Sequence, residues 1–432
     1  LRRIFVRWGM DDRMTMTSSP VMETLKGLLA LRQHDVKQWL ETRFDETPPS
    51  FYSSVDLRHS GTKLAPVDTN LFPAGFNNLS SAARKRAVER VKQVIAAYEP
   101  TVRRILIVPE NHTRNLGYLD NLLALKQIIE AAGFEVQLGS LQAEAGQPLE
   151  LEGSQGEPMV QYPLVKDNGR LGTQTGFVPD LIIMNNDMTS GLPELLTGLS
   201  QLVVPPLGQG WYRRKKSIHF DAYEQVSRQF AQHFSIDPWL ISAIFHKCGR
   251  VDFGERLGIE CMALGVEKVL RAVREKYAEY GITEEPYVFV KADSGTYGMG
   301  IMTVRSGEEL YEMNKKNRNK MNVIKEGVQS TEVIIQEGIP TVDAVEGAQA
   351  EPMIYLVGGV AIGGAFRVND ERDRFNNLNA RGMRFTGMCD EAEYDDELRH
   401  KVKNCDFGVY GLIASLATLA AAREEYGDGY MI

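Results

Sequence analysis

The chain has 432 residues, 43% of them apolar and 25% charged, which allows two or three domains and a sizeable core. A net charge of −8 argues against a general nucleic-acid binder, although a local basic cluster can still serve a small anion. The four cysteines, Cys248, Cys261, Cys389 and Cys405, form no C-x-x-C pair, which favours reduced thiols over a metal or redox motif. The stretch Leu1–Trp8 is basic but lacks the apolar region of a signal peptide. The longest apolar run, Val409–Ala422, is too short for a membrane span and reads as a buried helix. No nucleic-acid or membrane partner is expected, and the cytoplasm is the expected location.

In chain order, residues 20–44 read as a polar-rich helix that ends before Pro48-Pro49. Residues 55–78 (VDLRHSGTKLAPVDTNLFPAGFNN) are too broken by Pro and Gly for one regular element, yet dense in Arg, Lys, Asp and Asn. Both a solvated loop and an amino-acid site fit that mixture. Helical periodicity covers Ser80–Tyr98 and Tyr118–Ala132, with Gly133 as a stop. Strands are predicted at Arg104–Val108, Phe134–Leu138, Leu181–Met184 and Leu202–Val204. Strands alternating with helices predict a parallel sheet. The segment Ser140–Phe177, rich in Gly, Gln and Glu, reads as a hairpin excursion from it. The longest basic run, Arg213–Lys216, follows Gly210-Trp211-Tyr212. It is either a solvated face or a phosphate contact. Helices are predicted from Asp221 to Phe234 and through Val266–Tyr280, the latter capped by Gly281.

The most informative stretch is residues 288–304, VFVKADSGTYGMGIMTV. Two apolar, β-branched runs flank a loop that holds Gly295, Gly298 and Gly300, so a strand, a flexible loop and a returning strand are predicted. Lys291 stands at the mouth of that loop, where glycine amides and one ammonium can cradle a phosphate. The spacing matches neither G-x-G-x-x-G nor the P-loop. A Gly-rich lid over a nucleotide triphosphate fits better than either, with a plain hairpin as the alternative. Further on, Ser306–Glu309 is a capping box for a helix to Lys316. Strands are predicted at Glu332–Gln336, Pro352–Val357 and Val360–Val368, followed by the Asn-rich loop Asn376–Gly382.

A strand lysine with a Gly-rich lid, a strand ending in Gln336-Glu337-Gly338-Ile339, and a hairpin ending in Arg367 resemble, in that order, the ATP-grasp fold from Arg214 onward. The resemblance implies that Lys216, Lys291, Gly295, Gly298 and Gly300 hold the nucleotide phosphates. It implies that Gln336, Glu337 and Ile339 face adenine and sugar. Arg367 with Asn377-Leu378 resembles the Arg and Asn-Leu pair of bacterial glutathione synthetase. The strings KLAPVDTNLFPAGFNNL, NKMNVIKEG, VIIQEG and NLNARGM narrow the resemblance to the proteobacterial glutamate–cysteine ligase family built on ATP-grasp, over nearly the whole chain after Ser50.

That family implies formation of γ-glutamylcysteine from glutamate, cysteine and ATP with Mg²⁺, through an acyl phosphate. Lys291 and Arg367 would then be catalytic, and Arg58, Lys63, Asp68, Asn70 and Asn78 would hold glutamate. The C-terminal Glu-x-Asn metal pair common in ATP-grasp enzymes is missing after Met388, which leaves Glu351, Asn377 and Asn379 as the metal candidates. The implied fold is α/β and α+β: an N-terminal α/β domain of pre-ATP-grasp type followed by an ATP-grasp domain. Its divisions are a helical segment 1–50, a substrate domain 51–207, a helical lead 208–285 and a nucleotide-binding region 286–432. A homo-oligomer is compatible with this reading. Two rivals stay open, another ATP-grasp carboxylate–amine ligase and a nucleotide-binding regulatory module without turnover.

Overall fold

A computed structural model of the chain describes residues 19–424 other than 145, 250, 254, 295–300, 315–320, 322–323, 326–327, 330–331, 389–401 and 404–406. It is a mixed α/β molecule. Arg104–Pro109 lies between Glu135–Ser140 and Leu181–Asn185, and Leu202–Val204 flanks the last, all parallel. Such strands are buried on both faces and so consist of near-continuous apolar runs, as in Ile105–Val108 and Leu181–Met184. Helices Ser81–Tyr98 and Leu116–Ala131 supply Val91, Ile95, Leu122 and Ile129 to a core shared with Ile105 and Ile107. The excursion is a hairpin, Pro158–Asp167 with Arg170–Thr173, but it also extends the sheet by pairing in parallel with Glu135–Ser140.

A second sheet is antiparallel. The stretch 55–78, expected to be too broken for regular structure, contains most of a β-hairpin formed by Tyr52–His59 and Leu64–Asn70. Gly61 takes the positive φ of 89° that the turn requires. Pro66 is tolerated beside a β-bulge, where the register slips and Val67 is the extra residue. Tyr52–His59 then pairs with Ala348–Val357, which turns at Gly358-Gly359 into Val360–Asn369, and Met383–Gly387 closes the edge. The hairpin therefore shares a sheet with the C-terminal strands and not with the parallel strands, so the expected division at 207 does not follow the sheets. Helix Phe407–Ala422 is buried almost all round between this sheet and helices Pro20–Glu46 and Lys216–Phe234.

The third sheet orders Phe245–Cys248, Val333–Glu337, Val288–Ala292 and Ile301–Val304, all antiparallel. Helix Ile259–Tyr280 covers it, burying Val266, Leu270 and Val273 against Val288, Val290 and Ile335, and Gly281 ends it at φ 67°. The helix predicted from Asp221 begins earlier, at Lys216. The capping-box helix is described only as Glu308–Tyr311, with Gly307 rather than Ser306 at its start. Cys248 and Cys261, unpaired by any motif, meet with their sulfurs 3.0 Å apart. Among the described residues no helix is long and apolar enough to cross a membrane.

Candidate active site

The second and third sheets position one cavity. The hairpin contributes Asp56, Arg58, Val67 and Asp68; the start of helix Lys216–Phe234 contributes Lys216; the third sheet contributes Phe289, Lys291 and Ile301; the C-terminal strands and their exit loop contribute Glu351, Arg367, Asn377 and Asn379. Lys291 sits inside its strand, opposite Ile301. Its Nζ donates to Gln336 Oε1 at 2.6 Å and to the Val67 carbonyl at 3.1 Å. Burial pushes this ammonium down to about 8, with the nearby Asp68 carboxylate working the other way.

Lys216 Nζ donates to Asp68 Oδ1 at 2.6 Å and lies 4.7 Å from the centre of the Trp211 ring. Burial opposes the charged form of Asp68, but the Lys216 ammonium outweighs it and holds the carboxyl below its ordinary range. The first turn of the Lys216 helix has no local cap. Asp293 supplies one from the end of the Lys291 strand. Its carbonyl accepts from Lys216 N at 2.7 Å, and its carboxylate accepts from Ser217 N at 2.7 Å and Ser217 Oγ at 2.8 Å. Lys215 pairs with Glu332 on the adjoining strand. A helix start that exposes orphan N–H groups is thereby docked so that Lys216 and Lys291 reach one space.

Across the cavity runs a ladder of alternating charge. Arg58 Nε donates to Glu351 Oε2 at 3.0 Å, and Arg367 Nη1 donates to Glu351 Oε1 at 2.5 Å and to Asp56 Oδ2 at 2.8 Å. Arg58 also donates to the carbonyls of Ile339 at 3.1 Å and Asn376 at 2.5 Å. Burial opposes the charge on Arg367, yet Asp56 and Glu351 hold its guanidinium above its ordinary value. Asp56 and Asp68 stand directly opposite one another in the hairpin register.

Of the predicted residues, Arg58, Asp68, Lys216, Lys291, Glu351, Arg367, Asn377 and Asn379 are brought together. Gln336 adjoins them through Lys291 and Ile339 through Arg58. Gly295, Gly298 and Gly300 lie outside the described residues. Lys63 does not line the cavity: its Nζ donates to Glu337 Oε2 at 2.7 Å and sits 4.0 Å from the Trp239 ring centre, and burial pushes it down to about 8. Glu337 Oε2 accepts from Ile244 N as well, at 2.9 Å, so this pair ties the turn of the hairpin to the third sheet. Asn70 is equally committed to the fold, accepting from Phe72 N at 2.9 Å. Asn78 is bonded to the Tyr355 hydroxyl. Neither lines the cavity.

The candidate metal set is engaged within the protein. Mg²⁺ takes hard oxygen ligands, but both oxygens of Glu351 are engaged by arginines, and Asn377 Oδ1 accepts from Asn379 N at 3.0 Å. Among the described residues no three His, Cys, Asp or Glu side chains cluster to hold a metal. Sequence reasoning missed Asp56 and Asp293. Asp56 lies in a stretch read as irregular, so its face was not assignable. Asp293 lies in the lid motif, but its partner is a helix start some 76 residues earlier in the chain.

Comparison with known proteins gives a family. The model of the glutamate-cysteine ligase family matches residues 27–425. A solved structure from Methylobacillus flagellatus KT, provisionally described as a gamma-glutamylcysteine synthetase, is 41% identical with a TM-score of 0.86, covering 95% of this chain and 97% of that one. A glutathione synthetase-like effector of Globodera pallida is 11% identical with a TM-score of 0.39, covering 88% of this chain and 84% of its own. D-alanyl-alanine synthetase A of Vibrio cholerae is 12% identical with a TM-score of 0.34, covering 72% of this chain and 78% of its own. Both are too distant to carry inference. No curated protein matches the chain. The chain belongs to the glutamate–cysteine ligase family, enzymes that join glutamate to cysteine in glutathione biosynthesis.

Proposed function

We propose that the chain performs this ligation as an ATP-grasp enzyme, with the cavity as the place of phosphoryl transfer. The supporting observation is the convergence of two buried lysines, Lys216 and Lys291, from different elements on one cavity. Burying two ammonium groups so close together is costly; Asp68 offsets part of that cost, and a bound phosphate would offset more. Phosphoryl transfer needs positioning and charge neutralisation more than it needs a protein nucleophile. Lys291, Lys216 and the lid amides would hold the ATP phosphates. Gln336, Glu337 and Ile339 would border the adenosine. Arg58, Arg367 and Asp68 would orient glutamate, cations toward carboxylate and Asp68 toward ammonium.

The glutamate γ-carboxylate then attacks the γ-phosphorus of ATP, and ADP leaves. The resulting acyl phosphate is open to the cysteine amine, which displaces phosphate and forms γ-glutamylcysteine. Closure of the loop that holds Gly295, Gly298 and Gly300 would keep water from the acyl phosphate. The test is ADP release with ATP, glutamate and cysteine, each omitted in turn. Full turnover should need all three. Undiminished ADP release with another amine in place of cysteine would widen the substrate class. No ADP release with any amino-acid pair would overturn the reading.

A further inference from the structure

Resting on that reading, one step of the ligation still lacks a residue. The cysteine amine arrives as an ammonium, which cannot attack until a proton is removed. The cavity offers three carboxylates. Glu351 has both oxygens engaged by Arg58 and Arg367. Asp68 has Oδ1 bonded to Lys216, and its second oxygen, unbonded to any described residue, is given to the glutamate ammonium in the proposed reading. Asp56 is left. Its Oδ2 accepts from Arg367 Nη1 at 2.8 Å, while its Oδ1 takes no hydrogen bond from any described residue, and the side chain keeps 17% of its surface open. Its strand places it directly across from Asp68. Like charges in that position destabilise a sheet, and here Arg367 and Lys216 offset the pair.

We propose that Asp56 is the general base that takes a proton from the ammonium of the incoming cysteine. The transfer leaves a neutral amine and a carboxylic acid. The amine nitrogen forms a bond to the acyl carbon, the carbon–oxygen bond to phosphate breaks, and phosphate leaves with the electron pair and the second amine proton. The charged and titratable groups facing Asp56 suit this. Burial favours its protonated form, Arg367 works against that, and Glu351 and Asp68 add to it, with the net result above the ordinary carboxylate range. Asp68 is shifted the other way. Two neighbouring carboxylates whose environments push them apart divide into a proton carrier and a fixed charge.

The experiment compares two nucleophiles in the full-length enzyme with ATP and glutamate: cysteine, and hydroxylamine, which is largely uncharged near neutral pH and needs no base. Asp56→Asn should lower turnover with cysteine by about 100-fold or more, the usual scale of general-base catalysis. Its formation of glutamyl hydroxamate should fall far less, so that the ratio of cysteine to hydroxylamine turnover drops by about tenfold or more. Asp56→Glu, which keeps the base, should recover part of the cysteine activity. Equal loss with both nucleophiles, or cysteine turnover within about threefold of the parent, would overturn the role. If Asp56→Asn does not fold, Asp56→Glu carries the same comparison: a cysteine-selective loss supports the role and an equal loss overturns it. Failure of the parent enzyme to make hydroxamate would instead count against the acyl-phosphate reading.

Discussion

Lys63 and Lys291 are both buried and both pushed down to about 8, yet only Lys291 lines the cavity. Desolvation alone therefore does not mark a functional lysine; what it faces does. Lys291 carries its charge only below about pH 8 in the free enzyme, so kcat/KM for ATP should fall as pH rises through that value. Lys291→Arg should move this alkaline limb upward, since a guanidinium stays charged. Lys291→Ala should lose about 2–4 kcal/mol of transition-state stabilisation, the scale of one preorganised charge. Stability should move the other way. A depressed lysine makes the folded chain bind fewer protons than the unfolded chain between about pH 8 and 10.5, so this group adds stability as pH rises through that window. Activity lost with no fall in melting temperature between pH 8 and 9 is the expected pair of measurements. Lys291 was legible in the sequence because a strand, a lysine and clustered glycines make a local pattern. Asp56 was not, because its meaning comes from Arg367 and Glu351, some 300 residues distant in the chain.

At the scale of elements, the helix Lys216–Phe234 shows why boundaries resist local reading. Its cap comes from Asp293, and no capping side chain precedes Lys216. The short parallel strands, by contrast, were readable almost to the residue, since burial on both faces writes an uninterrupted apolar run. The same helix is locked by the far end of helix Phe407–Ala422. Glu424 accepts from Arg214 Nη2 at 2.6 Å and is bonded to His219 Nδ1 at 2.8 Å, and Arg214 reaches the carbonyl of Thr69 beside Asp68. Burial opposes the charge on Glu424, but Arg214 outweighs it and brings the carboxyl from 4.5 down to about 2. A depressed carboxyl contributes stability above its unfolded value and loses it as pH falls toward its folded value. Glu424→Gln should therefore cost roughly 3 kcal/mol at pH 7, from a shift of that size and from the stranded Arg214. Denaturant titrations of parent and variant should show the gap narrowing as pH drops below about 5. A constant gap would mean that the contact acts through packing and not through charge.

At the scale of the whole molecule, the chain is interleaved. The hairpin Tyr52–Asn70 is made early and placed late: it completes the antiparallel sheet by pairing with Ala348–Val357, and helix Pro20–Glu46 packs Val21, Leu25 and Trp39 into the core around helix Phe407–Ala422. This was the least legible feature, since strand partners some 300 residues apart leave no local periodicity. It is also what builds the cavity, because Asp56, Arg58 and Asp68 come from the hairpin while Glu351 and Arg367 come from its partner strands. A chain cut at the expected domain division should then fail to fold in halves. Residues 208–432 alone would bare the edge of strand Ala348–Val357, an invitation to aggregate, would expose the apolar face of helix Phe407–Ala422, and would leave Glu351 without Arg58. That fragment should be insoluble or melt without cooperativity. Supplying residues 1–207 during its refolding should restore a cooperative transition and ADP release together, since the same hairpin provides both the missing strand and the missing side chains. A fragment 208–432 that unfolds cooperatively by itself would show that the C-terminal strands need no hairpin, and that the cavity is assembled from two independently folded parts.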